Sequence, residues 1–470
     1  MTGLVGEVAR FAVSVRDGGL DPALQRDAAR RVLDMTGNCL LASDDEIGRI
    51  ATAVADRWGG NEVAGVLGSR RRYPGPSAAL VNGTLAHSFD FDDTHLPSVL
   101  HPSSSVIPAA LAVAEEVGAS GADLLAAVAV GDEICVRLGM AGYDEELGNS
   151  IFFERGQHAT AICGAVAGAA AAAMLTGLDA DGIASAMGVA ASMGSGLLEA
   201  NRTGGTVKRA HCGWAAHAAV AATDLARAGL TGPPTVLEGR FGFFQAWCGD
   251  AADPQVVVRD LGTSWELPGI FFKPYPCNHF THAGIDAALR LRDEGLEPAD
   301  ITDIELGAPT SVLRTIAQPP EVKAAPPTGY AAAFSGPYTV AAALDGGGGL
   351  GVWIDDFTDA AASDPRRREL AAKVRCVPDE RCDQIFPHQF PAVLRVRTRD
   401  GRTLEHRVDV NRGGPQRPLS DDELGAKFFL GAGRVLSDAQ SKTLLDAVLG
   451  LAEAPSVREV VALTTPVRAP

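Results

Sequence analysis

Apolar residues recur at helical spacing through the first 60 positions, which predicts amphipathic helices there. A turn-rich connector follows over residues 61–76, and a helix resumes from Ser77 to His87 with the letters SAALVNGTLAH. In the second predicted helix the three- and four-residue spacing is carried by Pro22, Gln25, Ala28, Val32 and Met35.

Alanine and glycine dominate residues 121–230, in segments of helix length that end at or near glycine. Leucine, valine, isoleucine and methionine recur in these segments with a helical period, which argues against low-complexity disorder. Because small residues let helix axes approach closely, we expect a tightly packed helical bundle.

The pattern changes near Leu267. Strand-like segments follow, ITDIELGAP, AKVRCVPD and PAVLRVRTRDGRTLEHRVDV, and the last is broken at Asp400–Gly401 as in a hairpin. A helix, FSGPYTVAAALDGG, lies between them, and helices return after residue 412. The prediction is a mainly α protein. Residues 1–267 and 413–470 form a large, discontinuous all-helical bundle domain, and residues 268–412 form a smaller α+β domain.

The length of the chain predicts the number of domains, and its net charge excludes some classes of partner. A chain of 470 residues is expected to form two domains. The net charge of −17 argues against nucleic acid and anionic membrane surfaces as partners. An anionic substrate would therefore be attracted by local positive groups.

The cysteines and the N-terminus predict a cytoplasmic protein. The eight cysteines are scattered without a CxxC pair, so a disulfide framework is not expected. The first residues lack a basic start followed by an apolar run, and the alanine-rich run at 161–176 is too short to span a bilayer. Six lysines stand among 41 basic residues, as in a GC-rich bacterial genome. A remaining lysine hints that a titratable ammonium is wanted.

The densest group of titratable residues is the stretch from Ala86 to Pro102, AHSFDFDDTHLPSVLHP. Neighbouring carboxylates and imidazoles shift each other's pKa values, and such clusters perform general acid–base chemistry. The alternative is a helix C-terminus followed by a polar turn, with Asp92 and Asp93 capping the next helix. Ser103–Ser105 are also available as the N-cap of that helix. The titratable and hydroxyl groups are Asp90, Asp92, Asp93, Thr94, His95 and His101.

Two further stretches carry basic residues at predicted helix starts. His158, in RGQHAT, precedes an alanine-rich helix whose macrodipole disfavours the imidazolium, although a core histidine bonded to a carbonyl is an equal alternative. In Gly204–His217, GGTVKRAHCGWAAH, the residues Lys208, Arg209 and His211 precede a small-residue helix. They predict an anion site, or else a solvated turn. The stretch is not a Walker A loop.

Two stretches in the α+β domain complete the candidates. KPYPCNHFTH contains Cys277, His279 and His282, but too few ligands for zinc, so a proline-stiffened loop that presents Lys273 is the better interpretation. In FSGPYTVAAAL, Tyr338 lies in the first turn of a helix, as a hydroxyl donor or as an ordinary packed tyrosine. No GxGxxG or GxSxG motif occurs in the right setting.

Six pieces in order make the chain resemble the MmgE/PrpD family, which includes 2-methylcitrate dehydratases, cis-aconitate decarboxylases and iminodisuccinate epimerases. The resemblance implies a helical domain with a smaller α+β lid, a homodimer, no metal or organic cofactor, and a site in the cleft between the domains. The pieces are AALVNGTLAHSFDFDDTHLPSVLHPSSSVIPA, RGQHATA, KRAHCGWAAHAA, KPYPCNHFTHAGIDAA, FSGPYTVAAAL and PLSDDELGAKF.

The resemblance also implies the site residues. As catalytic residues it implies Asp90, Thr94, His101, His158, Lys208, Lys273 and Tyr338. As substrate-binding residues we expect Asp93, Ser103, Arg209 and His211.

Members of this family share carbanion development beside a carboxylate, which needs a clamp of positive charge and a base. We assign Lys208 and Lys273 to the clamp, so that lid closure would accompany turnover. His101 or His158 would be the base, because a pKa near neutrality suits proton transfer.

The remaining roles concern the orientation of the base and the departure of the leaving group. Asp90 would orient a histidine, and Tyr338 or Thr94 would protonate or hold a leaving hydroxyl. The propionate-pathway dehydratases of the family tend to have Ser-Asp-Asn where this chain has Ser103–Ser105. That difference weighs against 2-methylcitrate itself.

The predicted function is a cofactor-independent lyase, a dehydratase that removes water from a small-molecule polycarboxylate resembling 2-methylcitrate. The alternatives are a decarboxylase or an epimerase that acts through the same carbanion, and a non-catalytic carboxylate-binding protein.

Overall fold

Helices account for most of the described secondary structure, which confirms the mainly α class. A computed structural model describes residues 3–203 and 205–467. The backbone divides into two units. The first contains residues 3–88, 92–270 and 424–467, and the second contains Phe89–Phe91 and Phe271–Glu423.

The elements are as follows, in chain order. The first unit contains α1 (Leu4–Gly18), α2 (Pro22–Ala42), α3 (Glu46–Trp58), β1 (Ala64–Gly65), β2 (Arg72–Tyr73), α4 (Gly75–His87), α5 (Ser103–Val117), α6 (Gly121–Met140), β3 (Tyr143–Asp144), β4 (Asn149–Ser150), α7 (Ile151–Glu154), α8 (Ala159–Leu175), α9 (Ala180–Ala190), α10 (Ala200–Thr203), α11 (Lys208–Arg227) and α12 (Phe243–Trp247). Next come α13 (His282–Asp293), β5 (Ile301–Ala308), α14 (Leu313–Ile316), α15 (Pro320–Ala324), α16 (Gly329–Ala332), α17 (Gly336–Leu344), α18 (Asp359–Ala362), α19 (Pro365–Ala371), β6 (Val374–Pro378), α20 (Glu380–Ile385), β7 (Ala392–Thr398) and β8 (Thr403–Val408). The last helices are α21 (Asp421–Ala432), α22 (Asp438–Leu449) and α23 (Val457–Ala462).

Side chains fix where several helices of the first unit begin. Asp21 accepts a hydrogen bond from the backbone N–H of Ala23, and Pro22 occupies the first helical position of α2. Ser120 and Asp123 form a reciprocal capping box at the start of α6. These caps satisfy backbone donors that the first helical turn leaves without partners.

The helices α4 and α11 touch backbone to backbone. A Cβ atom on Gly213 would lie 2.2 Å from the carbonyl oxygen of Leu80 and 2.2 Å from Oγ1 of Thr84. A Cβ on Gly83 would lie 2.8 Å from Cα of Gly213. This approach, of the kind that the small residues predicted, brings the end of α4 to the beginning of α11.

The second unit is built on a four-stranded sheet in the order β6-β5-β7-β8. Strand β6 runs parallel to β5, and the β5–β7 and β7–β8 pairs are antiparallel. The predicted strands and the hairpin at Asp400–Gly401 are confirmed, and Gly401 supplies the positive φ of +87° that this turn requires. Helices α13 and α17 bury their apolar faces with the sheet in one core.

Within residues 3–203 and 205–467, the helices are either too short or too polar to cross a lipid bilayer.

Candidate active site

Four imidazoles lie in a row inside the first unit. The ring centroids of His87 and His101 are 5.2 Å apart, those of His87 and His158 are 5.5 Å apart, and those of His158 and His211 are 5.1 Å apart. All four side chains are buried. They come from the end of α4, the residues before α5, the N-cap of α8 and the first turn of α11. Their charge states therefore depend on their neighbours.

His87, which lies between His101 and His158, is the charged member of this row. Its Nδ1 lies 2.7 Å from Oδ2 of Asp92. Burial lowers the pKa of the His87 imidazole, but the Asp92 carboxylate outweighs it, and the pKa rises to about 10. His87 is thus an imidazolium at neutral pH.

His158 and His211 are neutral instead. Their Nδ1 atoms are 3.0 Å apart, so one ring donates a hydrogen bond to the other. Burial, followed by the Lys208 ammonium, lowers the pKa of His158 well below its ordinary value. Burial, with the charges of His87 and Lys208, lowers the pKa of His211 to about 4. The sequence predicted a neutral His158 from the helix macrodipole, whereas the main cause is burial.

Hydrogen bonds to one backbone carbonyl and two threonine hydroxyls hold His101 in place. Its Nδ1 lies 2.7 Å from the carbonyl oxygen of Asp93 and 3.1 Å from Oγ1 of Thr94. Because a carbonyl only accepts, Nδ1 carries the proton, and in the neutral ring the lone pair is on Nε2. The backbone N–H of His101 donates to Oγ1 of Thr160 over 3.1 Å. His101 can therefore act as a base through Nε2.

Asp93 and Ser103, predicted to bind substrate, are bonded to each other. Oγ of Ser103 lies 2.6 Å from Oδ2 of Asp93 and 2.9 Å from Oδ2 of Asp132. Asp93 also accepts from Arg31 over 3.0 Å. One hydroxyl proton serves only one carboxylate, so the Asp132 carboxyl is protonated and donates to Ser103.

The acidities of these groups agree with that pattern. Burial raises the pKa of Asp93 to about 6, with the Arg31 guanidinium opposing the rise. Burial, followed by the charge of Asp93, raises the pKa of Asp132 well above its ordinary value. Asp93 also accepts from the backbone N–H of Ser103 over 3.3 Å. This contact is the helix-capping role left open for Asp93. The prediction of Ser103–Ser105 as N-cap was wrong, because α5 begins at Ser103 and its N-cap is Pro102.

The first turn of α11 carries the predicted anion-binding residues. The sequence placed Lys208, Arg209 and His211 before the helix, but the helix begins at Lys208 itself. Lys208 and His211 are buried, and the Arg209 guanidinium lies 3.7 Å from Oδ2 of Asp45. Gly204, the first residue of the predicted stretch, lies outside the described residues.

Asp90 and Lys273 pair within the second unit. The Lys273 ammonium donates to the Asp90 carbonyl oxygen over 2.7 Å and lies 3.4 Å from its Oδ2. Asp90 has a φ of +52°, a conformation that costs free energy in a residue other than glycine. The buried ammonium stabilises this strained residue.

Tyr338 lies in the core of the second unit. It is in the first turn of α17, as predicted, and its hydroxyl donates to the carbonyl oxygen of Asp356 over 2.6 Å. Burial raises its pKa. This geometry is that of the packed tyrosine, which the sequence left open beside the role of proton donor.

Sequence reasoning missed His87, Arg31 and Asp132, and it noted Asp92 without finding the partner of that residue. His87 and Asp92 stand five positions apart in AHSFDFDD, and that spacing across a helix end was the signal that could have found the pair. Arg31 and Asp132 lie far along the chain from Asp93. Only the tertiary structure brings them together.

The residues His87, Asp92 and Cys212 also form a possible metal-ligand group. One ligand atom from each lies within 4.8 Å of the others. The Lys208 ammonium is close enough to lower the pKa of His87 and so opposes a second cation at this place.

With the geometry described, comparison with known proteins identifies the family. Residues 6–255 match the MmgE/PrpD N-terminal domain, and residues 275–451 match the MmgE/PrpD C-terminal domain. The chain belongs to the MmgE/PrpD family, as the six sequence pieces predicted.

Relatives match along nearly the whole chain. The cis-aconitate decarboxylase-like protein oryM of Aspergillus oryzae is 27% identical over 98% of this chain and 97% of its own length. The cis-aconitate decarboxylase of Homo sapiens is 30% identical over 96% and 91%. That of Aspergillus terreus is 29% identical over 86% and 84%.

Proposed function

We propose that this protein is a carbon–carbon lyase that decarboxylates a small unsaturated polycarboxylate of the cis-aconitate type. The observation that carries the proposal is the buried row of four imidazoles beside the Lys208 ammonium. The names of the full-length relatives support it. The dehydratase predicted first from the sequence becomes the second candidate.

Charge explains how the row would bind such a substrate. The His87 imidazolium and the Lys208 ammonium are positive, while His158 and His211 are held neutral beside them. Cationic groups in a buried setting attract carboxylates and stabilise negative charge that develops in a transition state. Such local charge overcomes the net charge of −17 on the chain.

The reaction requires one bond cleavage and one proton transfer. The bond between a carbon and its carboxylate breaks, CO₂ leaves, and the electron pair stays on carbon as an allylic carbanion beside a remaining carboxylate. A proton then adds to carbon. His101, with Nδ1 bonded to the Asp93 carbonyl, would transfer that proton through Nε2, and neutral His158 is the second candidate.

Two of the three serines, Ser103 and Ser104, fit structural roles. Ser103 bonds to Asp93 and Asp132, and Ser104 donates to the His101 carbonyl oxygen over 3.0 Å and contacts Sγ of Cys212 at 3.2 Å. Thr94, adjacent to His101, would hold a leaving hydroxyl if the reaction were dehydration.

The test is product analysis. The purified protein is incubated in D₂O with cis-aconitate and, separately, with 2-methylcitrate. NMR follows the carbon skeleton, and an infrared detector follows CO₂. We expect one CO₂ and one new C–D bond for each cis-aconitate consumed. A new alkene without CO₂ would establish the dehydratase. Absence of CO₂, of a new alkene and of any new C–D bond with either acid would contradict both enzymatic proposals. Heat-treated protein is the control.

The family resemblance supports a proposal about assembly, and the cysteines support one about location. A homodimer is proposed, and light scattering should then give twice the mass of the 470-residue chain. We also propose a cytoplasmic location, in keeping with eight cysteines that show no disulfide bond among the described residues.

A further inference from the structure

One ring nitrogen in the row lacks a hydrogen-bond partner. Nε2 of His87 is fully buried and, within the part of the chain that the structure describes, bonds to nothing. The side chain is 1% exposed. A buried polar group left unsatisfied costs free energy, and a charged one costs more. Such an atom in a native fold needs an explanation, and a ligand is one.

The same ring is fixed in charge and direction. Its Nδ1 is bonded to Asp92 at 2.7 Å, so rotation of the ring would break a short charge-assisted bond. The titratable groups that act on it are Asp92, Cys212 and Lys208, and the rings of His101 and His158 flank it. With both nitrogens protonated, Nε2–H is a donor that cannot rotate away.

We propose that Nε2–H of His87 is a charged hydrogen-bond donor to one carboxylate of the substrate, and that Asp92 positions it. The substrate class rests on the proposed function, but the recognition of a carboxylate rests on the donor itself. His87 thereby becomes a substrate-binding residue in addition to those that the sequence identified.

Carboxylate is the chemistry that this donor fits. An imidazolium only donates, so its partner must be an acceptor, and an anionic acceptor gives the stronger bond. The Lys208 ammonium acts on the same ring and adds a second positive charge nearby. Two fixed positive groups match a substrate with more than one carboxylate.

Two substitutions separate binding from a merely structural role. The amide nitrogen of glutamine reaches the position of Nε2, whereas the amide of asparagine reaches the position of Nδ1. H87Q therefore keeps a donor toward the ligand, and H87N keeps the contact with Asp92. The probe is tricarballylate, a saturated tricarboxylate with no hydroxyl to eliminate and no alkene, and calorimetry measures its dissociation constant.

We expect the dissociation constant to rise about 10- to 100-fold in H87N and by less than about 5-fold in H87Q, since a hydrogen bond to a charged group has that strength. Thermal unfolding of both variants serves as the check on folding. The reverse order, with H87N unaffected and H87Q weakened, would show that the ring only supports Asp92. Failure of the unsubstituted protein to bind tricarballylate would also overturn the proposal.

The outcome is independent of the proposed reaction. If the protein releases no CO₂ from cis-aconitate but binds tricarballylate through His87, the proposed function fails and this proposal stands. If it releases CO₂ and H87N binds tricarballylate as the unsubstituted protein does, the proposed function stands and this proposal fails.

Discussion

The hydrogen-bond network around Ser103 requires one of its two neighbouring carboxyl groups to be protonated. The hydroxyl of Ser103 bridges Asp93 and Asp132, and only the protonated Asp132 makes every contact favourable. Oδ1 of Asp132 is buried without a hydrogen-bond partner in the described chain, so ionising this group would place a poorly solvated charge in the core. The fold therefore favours the acid form of Asp132.

The free energy of unfolding should consequently fall as the pH rises. The folded-state pKa of Asp93, about 6, is above its ordinary value, and that of Asp132 is raised well above it. A raised carboxyl pKa contributes stability below the unfolded-state pKa, and the contribution is lost as the pH rises through the folded-state pKa.

Asp132→Asn tests this network, because the neutral amide can still donate to Ser103 and needs no proton. As the pH rises above about 4, the ordinary pKa of an aspartate, urea unfolding should show a smaller loss of stability than in the unsubstituted protein, by about 1 kcal/mol or more. The exposed Asp250→Asn is the control and should leave the pH dependence unchanged. An equally steep pH dependence in the Asp132 variant would mean that Asp132 is ionised in the fold.

Lys208→Met should abolish most of the turnover. Loss of one preorganised positive group typically lowers the rate constant about 10²- to 10³-fold. Methionine fills the buried space, so the unfolding midpoint should be retained. The pKa of His211 should also rise from about 4, because Lys208 contributes to its lowering, and an NMR titration would detect this.

The matched control for Lys208→Met is Lys442→Met, since the Lys442 side chain is 73% exposed. It should leave both turnover and the His211 pKa unchanged. Turnover of the Lys208 variant at the unsubstituted rate would remove Lys208 from the site.

The residue types of the site were predictable, but their partners were not. His101, His158, Lys208 and His211 were identified from motif stretches and lie in or beside the row of imidazoles. Sequence gave no measure of burial, which is the main cause of the low pKa of His158. Partners distant along the chain, such as Arg31 for Asp93, depend on helix packing that no local pattern encodes.

At the scale of elements, the crossing of α4 and α11 determines where His87 meets Lys208. His87 ends α4, one turn beyond Gly83, and Lys208 begins α11, little more than one turn before Gly213. The two glycines bring the backbones together at that point. A side chain there would separate the two helix ends.

Gly213→Ala should therefore destabilise the protein by about 1–3 kcal/mol, the usual cost of overpacking a core. The new Cβ would lie 2.2 Å from the Leu80 carbonyl oxygen, which is backbone and cannot rotate away. Urea unfolding provides the measurement. Gly425→Ala in α21 is the control, because its Cβ would first meet Leu445 at 3.6 Å, and it should be neutral or stabilising by up to about 1 kcal/mol. Equal effects of the two substitutions would contradict the close crossing.

Element types were predicted better than element ends. The alternating pattern on either side of Asp400–Gly401 predicted β7 and β8, because a period of two has few alternative explanations. The beginning of α11 was placed too late, since lysine, arginine and histidine resemble a polar loop in sequence. Lys208 is buried in the first helical turn, so its polar side chain did not mark a solvent-exposed loop as the prediction assumed.

At the scale of the whole molecule, a net charge of −17 coexists with a row of imidazoles that contains the positive His87 beside the Lys208 ammonium. Both domains of the MmgE/PrpD family are matched, and the relatives align over nearly the full chain. Both units are therefore part of the family's shared architecture. In the proposed function, the positive charge for carboxylate binding would come from the side chains of Lys208 and His87. Under that proposal, these side chains would supply the positive charge that a metal ion supplies in metal-dependent lyases.

Chelation should therefore leave the reaction intact. After dialysis against EDTA, CO₂ release from cis-aconitate should continue at the original rate, because the Lys208 ammonium opposes a cation at His87, Asp92 and Cys212. Elemental analysis of the dialysed protein confirms removal of metal, and a zinc-dependent peptidase treated in parallel shows that the chelator is effective. Loss of CO₂ release that added Zn²⁺ restores would instead make those three residues a metal site, and the charge of the row would then have to be assigned anew.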